Sequence, residues 1–225
     1  MPSHREEIAL KRLRAIIACA LLLTLLLRLP ASADDTWYET SAESGILMDC
    51  ATGQVLWEKN PDERLAIAST TKIMTALLAI ESGRLDETVT IPPEAELIEG
   101  SKVYLTQGTT YTLRELLEAL ILESANDAAV AVAEHVAGSV EAFADLMNER
   151  AERLGAHNSH FVNPHGLTHP EHLSTAYDLA VITRAALQNP LFAEIVATPQ
   201  KELTYEELGR KVVLYNTNRL LRGGL

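Results

Sequence analysis

The sequence predicts an α+β fold in which an antiparallel sheet, drawn from both ends of the chain, flanks an inserted block of helices. Three observations carry this prediction. Strand-like runs lie near the amino end, a capped and strongly apolar helical block fills the middle, and strand character returns at Lys211–Tyr215.

In chain order, Gly45-Ile46-Leu47-Met48-Asp49 and Gln54-Val55-Leu56-Trp57-Glu58 are short enough to be strands, and Cys50–Gly53 is a connection of hairpin length. Gly53 can supply the positive φ that such turns need. A helix follows from about Thr70 to Glu81 and stops at Ser82-Gly83. Thr112-Leu113-Arg114-Glu115 reads as a capping box opening a helix to about Leu122. Asp127–Ala137 is apolar on nearly every face, so protein must surround it. An amphipathic helix then spans about Val140 to Leu154 and ends at Gly155. Another runs from about Thr175 to Leu187, broken by Asn189-Pro190.

Residues 1–33 stand apart. Arg5, Lys11, Arg12 and Arg14 precede an apolar run, Ala15 to Leu27, and Ala31-Ser32-Ala33 follows as a small-x-small cleavage site. That order predicts a secretory signal peptide, the run being shorter than the roughly 20 residues of a membrane span. Cleavage would leave residues 34–225 as the catalytic domain and take the formal net charge from −12 to −15, because five basic and two acidic residues go with the leader. Such a surface repels nucleic acid. Cys50 would be the one cysteine left in these residues, so packing rather than an internal disulfide holds them together.

The chemistry centres on Ala66-Ile67-Ala68-Ser69-Thr70-Thr71-Lys72. A lysine inside an apolar run loses hydration worth several kcal/mol unless something compensates. With Ser69 at a helix start, Ser69 and Lys72 share a face, and a partly desolvated lysine can accept a serine proton. The bland alternative makes Ser69 a helix cap and lets Lys72 reach out to water. Chance alone yields roughly 0.3 such spacings in this composition, so the pair needs support. Glu123-Ser124-Ala125-Asn126 supplies it: a hydroxyl and a carboxamide between two apolar helices either cap the second helix or serve a substrate. S-x-x-K followed by S-x-N begins the motif set of penicillin-binding proteins and class A β-lactamases.

The resemblance then broadens to G-I-L-M-D, G-Q-V-L-W-E-K-N, I-A-S-T-T-K-I-M-T-A, S-A-N-D-A-A, F-V-N-P-H-G-L, H-L-S-T-A-Y-D-L-A and N-T-N-R-L-L, in that order. The chain resembles the serine-type D-alanyl-D-alanine carboxypeptidases, the low-molecular-weight penicillin-binding proteins. The resemblance implies a β-lactamase/transpeptidase-like fold. It also implies removal of the terminal D-alanine of peptidoglycan pentapeptide stems through an acyl-enzyme, with β-lactam antibiotics as acylating inhibitors. By position, Ser69 is the nucleophile, Lys72 its general base, Ser124 the proton relay and Asn126 the residue that binds the substrate amide. No cofactor or metal is implied, and the location is the extracytoplasmic side of the envelope. The family's Lys-Thr-Gly motif does not occur in these residues, and no carboxy-terminal membrane-associating segment does. The expectation is therefore an incomplete sheet, a carboxy-terminal truncation and negligible activity for the chain as it stands.

Rival readings remain at this level. His157, His160, His165, His169 and His172 fall within 16 residues, and H-x-x-H spacing can serve zinc, although Gly, Pro and Asn make the stretch a solvated loop. A β-lactamase-like hydrolase would need an acidic residue for its deacylating water, and Glu171 is the nearest offer. A non-catalytic penicillin-binding wall protein is the third possibility.

Overall fold

The computed structural model describes residues 40–205 and 210–222, so the signal peptide expected at residues 1–33 lies outside the described residues. The elements below belong to the unit Ala42–Leu225, separate from Met1–Ser41.

The expected hairpin is present. β1 (Gly45–Met48) pairs antiparallel with β2 (Val55–Lys59), with an irregularity between Leu47 and Met48. Asp49 organises the turn by accepting from the Thr52 backbone N–H at 2.7 Å and the Thr52 hydroxyl at 2.6 Å, and Gly53 closes it at φ +77°. Alternation puts Ile46, Met48, Val55 and Trp57 on the half-buried face and leaves Leu47 and Leu56 exposed. β3 (Leu65–Ala66) is a two-residue strand before the serine turn.

The first long helix begins later than expected. Residues Ala68–Thr71 form a 3-10 turn, and α1 (Lys72–Glu81) starts at the lysine itself. β4 (Thr88–Thr90), α2 (Pro93–Leu97) and β5 (Thr110–Thr112) follow, β4 pairing antiparallel with β5. α3 (Leu113–Leu122) opens with both halves of its capping box: Thr112 Oγ1 accepts from Glu115 N–H at 3.2 Å, and Glu115 Oε2 accepts from Thr112 N–H at 2.8 Å.

α4 (Asn126–Ala137) is the centre of the packing, touching α1, α2, α3, β4 and α5 (Val140–Leu154). Its first eight residues are all buried, and the apolar ones among them are alanine and valine. Small side chains let neighbouring helices approach closely, and enlarging one would overpack the core at a cost of about 1–3 kcal/mol. Ser139 Oγ caps α5 through Ala142 N–H at 3.1 Å.

β6 (Leu173–Ser174) pairs with β3, α6 (Ala176–Leu187) follows, and then the structure departs from expectation. Asn189-Pro190 ends α6 but also starts α7 (Pro190–Ala197). Asn189 Oδ1 accepts from Leu191 N–H at 3.0 Å, and Pro190 stands at the first helical position, where its missing N–H costs nothing. β7 (Gln200–Tyr205) pairs antiparallel with β8 (Arg210–Tyr215), and Arg219–Arg222 forms a 3-10 turn. Among the described residues the strands make four separate two-stranded ladders. The α+β class stands, whereas the single sheet expected from both chain ends is, among the described residues, two separate ladders, β1 with β2 and β7 with β8.

Candidate active site

Ser69, Lys72 and Ser124 line one cleft of about 340 Å³, walled by Ile73 of α1, Leu120 and Ile121 of α3, Phe192 and Val196 of α7, and Thr217. Lys72 is 5 % exposed and donates from Nζ to Ser69 Oγ at 3.2 Å and to the His165 carbonyl at 2.7 Å. Burial pushes its ammonium down to about 8, against an opposing pull from the Asp127 carboxylate. Roughly a tenth of such lysines are neutral at pH 7, compared with a negligible fraction in water. The bland alternative for Lys72 is overturned, because the side chain does not reach solvent.

The capping alternatives fail as well. The 3-10 turn and α1 have no side-chain cap, and α4 is preceded by Ala125, also without one. The Ser69 hydroxyl is exposed to the cleft and accepts from Lys72, and Ser124 is half-buried. Both sit on unusual backbone. Ala68, directly before Ser69, has φ +46°, and Ser124 has φ +56°. A residue other than glycine held in that region costs on the order of 1–3 kcal/mol and persists only where its surroundings dictate it.

Asn126 stands at the first position of α4, 4 % exposed. Its Nδ2 donates to the Glu99 carbonyl at 2.6 Å, and its backbone N–H donates to the Ser101 carbonyl at 2.7 Å. It is not among the residues that line the cleft with Ser69, Lys72 and Ser124. Its neighbour Asp127, fully buried, accepts from Leu105 N–H at 3.0 Å and Val103 N–H at 3.3 Å, and so ties loop 98–105 to the start of α4.

The histidine loop is not solvated as expected. His165 and His172 are buried, and burial drives each imidazole down to about 4. Their Nδ1 atoms accept from Leu167 N–H and Val162 N–H, which shapes the loop from within. Among the described residues no group of three His, Cys, Asp or Glu side chains is placed to hold a metal ion. Glu171 is exposed, its backbone N–H bound to His169.

Sequence reasoning missed the α7 wall and Thr217. The signal was present in N-T-N: Asn216, 5 % exposed, donates to the Val196 and Thr198 carbonyls at 3.0 and 2.9 Å. Thr217 N–H meanwhile donates to the Leu122 carbonyl at 3.1 Å. Together they latch the tail onto α7 and α3 and set Thr217 into the cleft.

Comparison with known proteins gives a consistent picture. The family profile of D-alanyl-D-alanine carboxypeptidase matches residues 30–224. The chain is 40 % identical over 186 residues to D-alanyl-D-alanine carboxypeptidase DacF of Bacillus subtilis, covering 80 % of this chain and 48 % of that one. It is 38 % identical over 191 residues to DacC of Escherichia coli, covering 80 % and 46 %. The chain thus spans about half the length of the curated relatives it matches. Among solved structures, the D-alanyl-D-alanine carboxypeptidase of Mycobacterium tuberculosis superimposes with a TM-score of 0.77 at 35 % identity, covering 82 % of this chain and 70 % of that one. A mutant of the Streptomyces K15 DD-transpeptidase gives 0.78 at 32 % identity, covering 83 % and 78 %.

Proposed function

Because this chain belongs to the D-alanyl-D-alanine carboxypeptidase family, we propose that it is catalytic machinery of a serine enzyme that trims the terminal D-alanine from peptidoglycan pentapeptide stems. The observation that carries this reading is the buried Lys72, its basicity lowered to about 8, with Nζ 3.2 Å from Ser69 Oγ.

In this reading neutral Lys72 takes the hydroxyl proton as Ser69 Oγ attacks the carbonyl of the last peptide bond. Ser124 relays that proton to the departing amine, and D-alanine leaves carrying it. Asn126 holds the substrate amide. Water then adds to the Ser69 ester, returns the proton to the site and frees the shortened stem. A β-lactam follows the same first step, but its amine remains tethered in the opened ring, so the ester persists. Residues 1–33 direct export, and the enzyme acts on the extracytoplasmic side of the envelope.

Labelling of the full-length protein with fluorescent penicillin tests the reading. One covalent adduct is expected, absent in Ser69→Ala, together with D-alanine release from a pentapeptide ending in D-Ala-D-Ala. An unlabelled parent protein, or label that persists in Ser69→Ala, overturns it. Rapid turnover of the penicillin would instead identify a β-lactamase-like hydrolase.

A further inference from the structure

His172 lies outside the set Ser69, Lys72, Ser124 and Asn126, yet its ring reaches the serine turn. The residue is 2 % exposed, and the ring of Phe161 packs edge-on against it with centroids 5.7 Å apart. Its Nδ1 accepts from Val162 N–H at 3.0 Å. A backbone N–H can only donate, so Nδ1 is bare and the ring hydrogen of the neutral imidazole resides on Nε2. That hydrogen points at Thr71 Oγ1, 2.7 Å away, and the Thr71 hydroxyl donates in turn to the Ala68 carbonyl at 2.7 Å. Every donor and acceptor in this series has one consistent direction, running from Val162 through His172 and Thr71 to Ala68.

Ala68 is where the series matters. It holds φ +46° immediately before Ser69, and its carbonyl is also the atom that a Cβ on Gly166 would strike at 1.8 Å. Gly166 packs directly against this peptide group, and the imidazole reaches it through the Thr71 hydroxyl. The Thr71 hydroxyl holds the Ala68 carbonyl, and with it the peptide that leads into Ser69, whose Oγ lies 3.2 Å from Lys72 Nζ. The geometry points to His172 as a positioning residue for the nucleophile, acting through the Thr71 hydroxyl on the left-handed Ala68 peptide. The inference rests on Ser69 being the nucleophile. It assigns His172 no contact with substrate, and it adds no proton to the reaction.

The test uses the full-length protein and its His172→Ala, Thr71→Val and Thr71→Ser variants. Acylation by fluorescent penicillin is measured as a limiting rate and a half-saturating concentration, alongside Tm. Displacement of a reacting atom by about 1 Å can cost on the order of 10²-fold, so Thr71→Val and His172→Ala should lower the limiting rate by roughly 10- to 100-fold with little change in half-saturation. Thr71→Ser, which keeps the hydroxyl, should restore it. Nitrogen-15 spectra should show His172 Nδ1 bare and Nε2 protonated at pH 7. The backbone amide signals of Ala68 and Ser69 should move in Thr71→Val but not in Thr71→Ser. Parental acylation in Thr71→Val, a protonated Nδ1, or unmoved amide signals would each overturn the inference. A parent that fails to acylate while the amide signals shift as stated would refute the assignment of Ser69 and leave the His172 link intact.

Discussion

Lys72 Nζ donates to the His165 carbonyl across 2.7 Å, so the amine of α1 is held by a loop more than ninety residues further along the chain. The partners it meets there, that carbonyl and the Ser69 hydroxyl, are neutral. Burial of its charge is consequently opposed by dipoles rather than by a paired carboxylate, and the lowered pKa follows.

With Lys72 as the base proposed for Ser69, acylation should rise with pH around a midpoint near 8, because a base must be neutral to accept a proton. Lys72→Ala should lower the rate by ~10²–10⁴-fold and leave the profile flat there. Its Tm should not fall, since a buried cation is removed along with its contacts. Stopped-flow acylation from pH 6 to 9 and thermal melts check both points.

Asp127 pulls the Lys72 pKa upward, against burial. Asp127→Asn should move the acylation midpoint to lower pH. It should also loosen loop 98–105, because the carboxylate accepts from Leu105 and Val103 N–H. Each buried N–H left without an acceptor costs about 1–3 kcal/mol. The same pH series, with hydrogen exchange at Leu105, separates the two effects.

Gly166 has φ +87°, and an added Cβ would lie 1.8 Å from the Ala68 carbonyl oxygen. Gly166→Ala should cost ~1–3 kcal/mol from backbone conformation alone, with the clash in addition. Melting temperature should fall and acylation should fall with it. A variant with parental Tm and rate would contradict the packing described here.

His165 and His172 are both held near 4, below the ordinary 6.5. The groups whose charges depress them are Lys72 and His172 for the first, and His160 and His169 for the second. Between about pH 6.5 and pH 4 the unfolded chain takes up protons that the folded chain refuses, so stability falls as pH falls through that window and is fully present above it. Melts at pH 7, 6 and 5 should show the loss, and it should be smaller in His172→Gln.

Export should cut the chain between Ala33 and Asp34. Amino-terminal sequencing of the exported protein should begin at Asp34, and a protein beginning at Met1 would refute the leader.

What the sequence disclosed was local. The capping box at Thr112–Glu115 and the hairpin connection at Cys50–Gly53 are written within a few residues, and both formed as expected. The pairing of Ser69 with Lys72 was legible because the 3-10 turn leading into α1 still brings the two side chains together, even though α1 starts two residues later than expected. α7 was missed because Asn-Pro reads equally as a stop and as a start. The cleft wall was missed because Phe192 and Thr217 reach Ser69 only through tertiary packing. The buried histidines were misread for a similar reason. Glycine, proline and asparagine mark a loop, but they do not tell which of its rings turn inward.

Thr217 lines a cleft that Ser69, far earlier in the chain, lines as well, and its backbone is latched to Leu122. A chain threaded amino end first presents Ser69 and Lys72 long before that latch is available. Contacts so distant in sequence form late, after the loop-closure entropy has been met. Until then the cleft beside Lys72 lacks one of its walls, and a better hydrated lysine holds its proton more firmly. On the proposed reading, the basicity of Lys72 reaches its folded value only once the segment carrying Thr217 has docked.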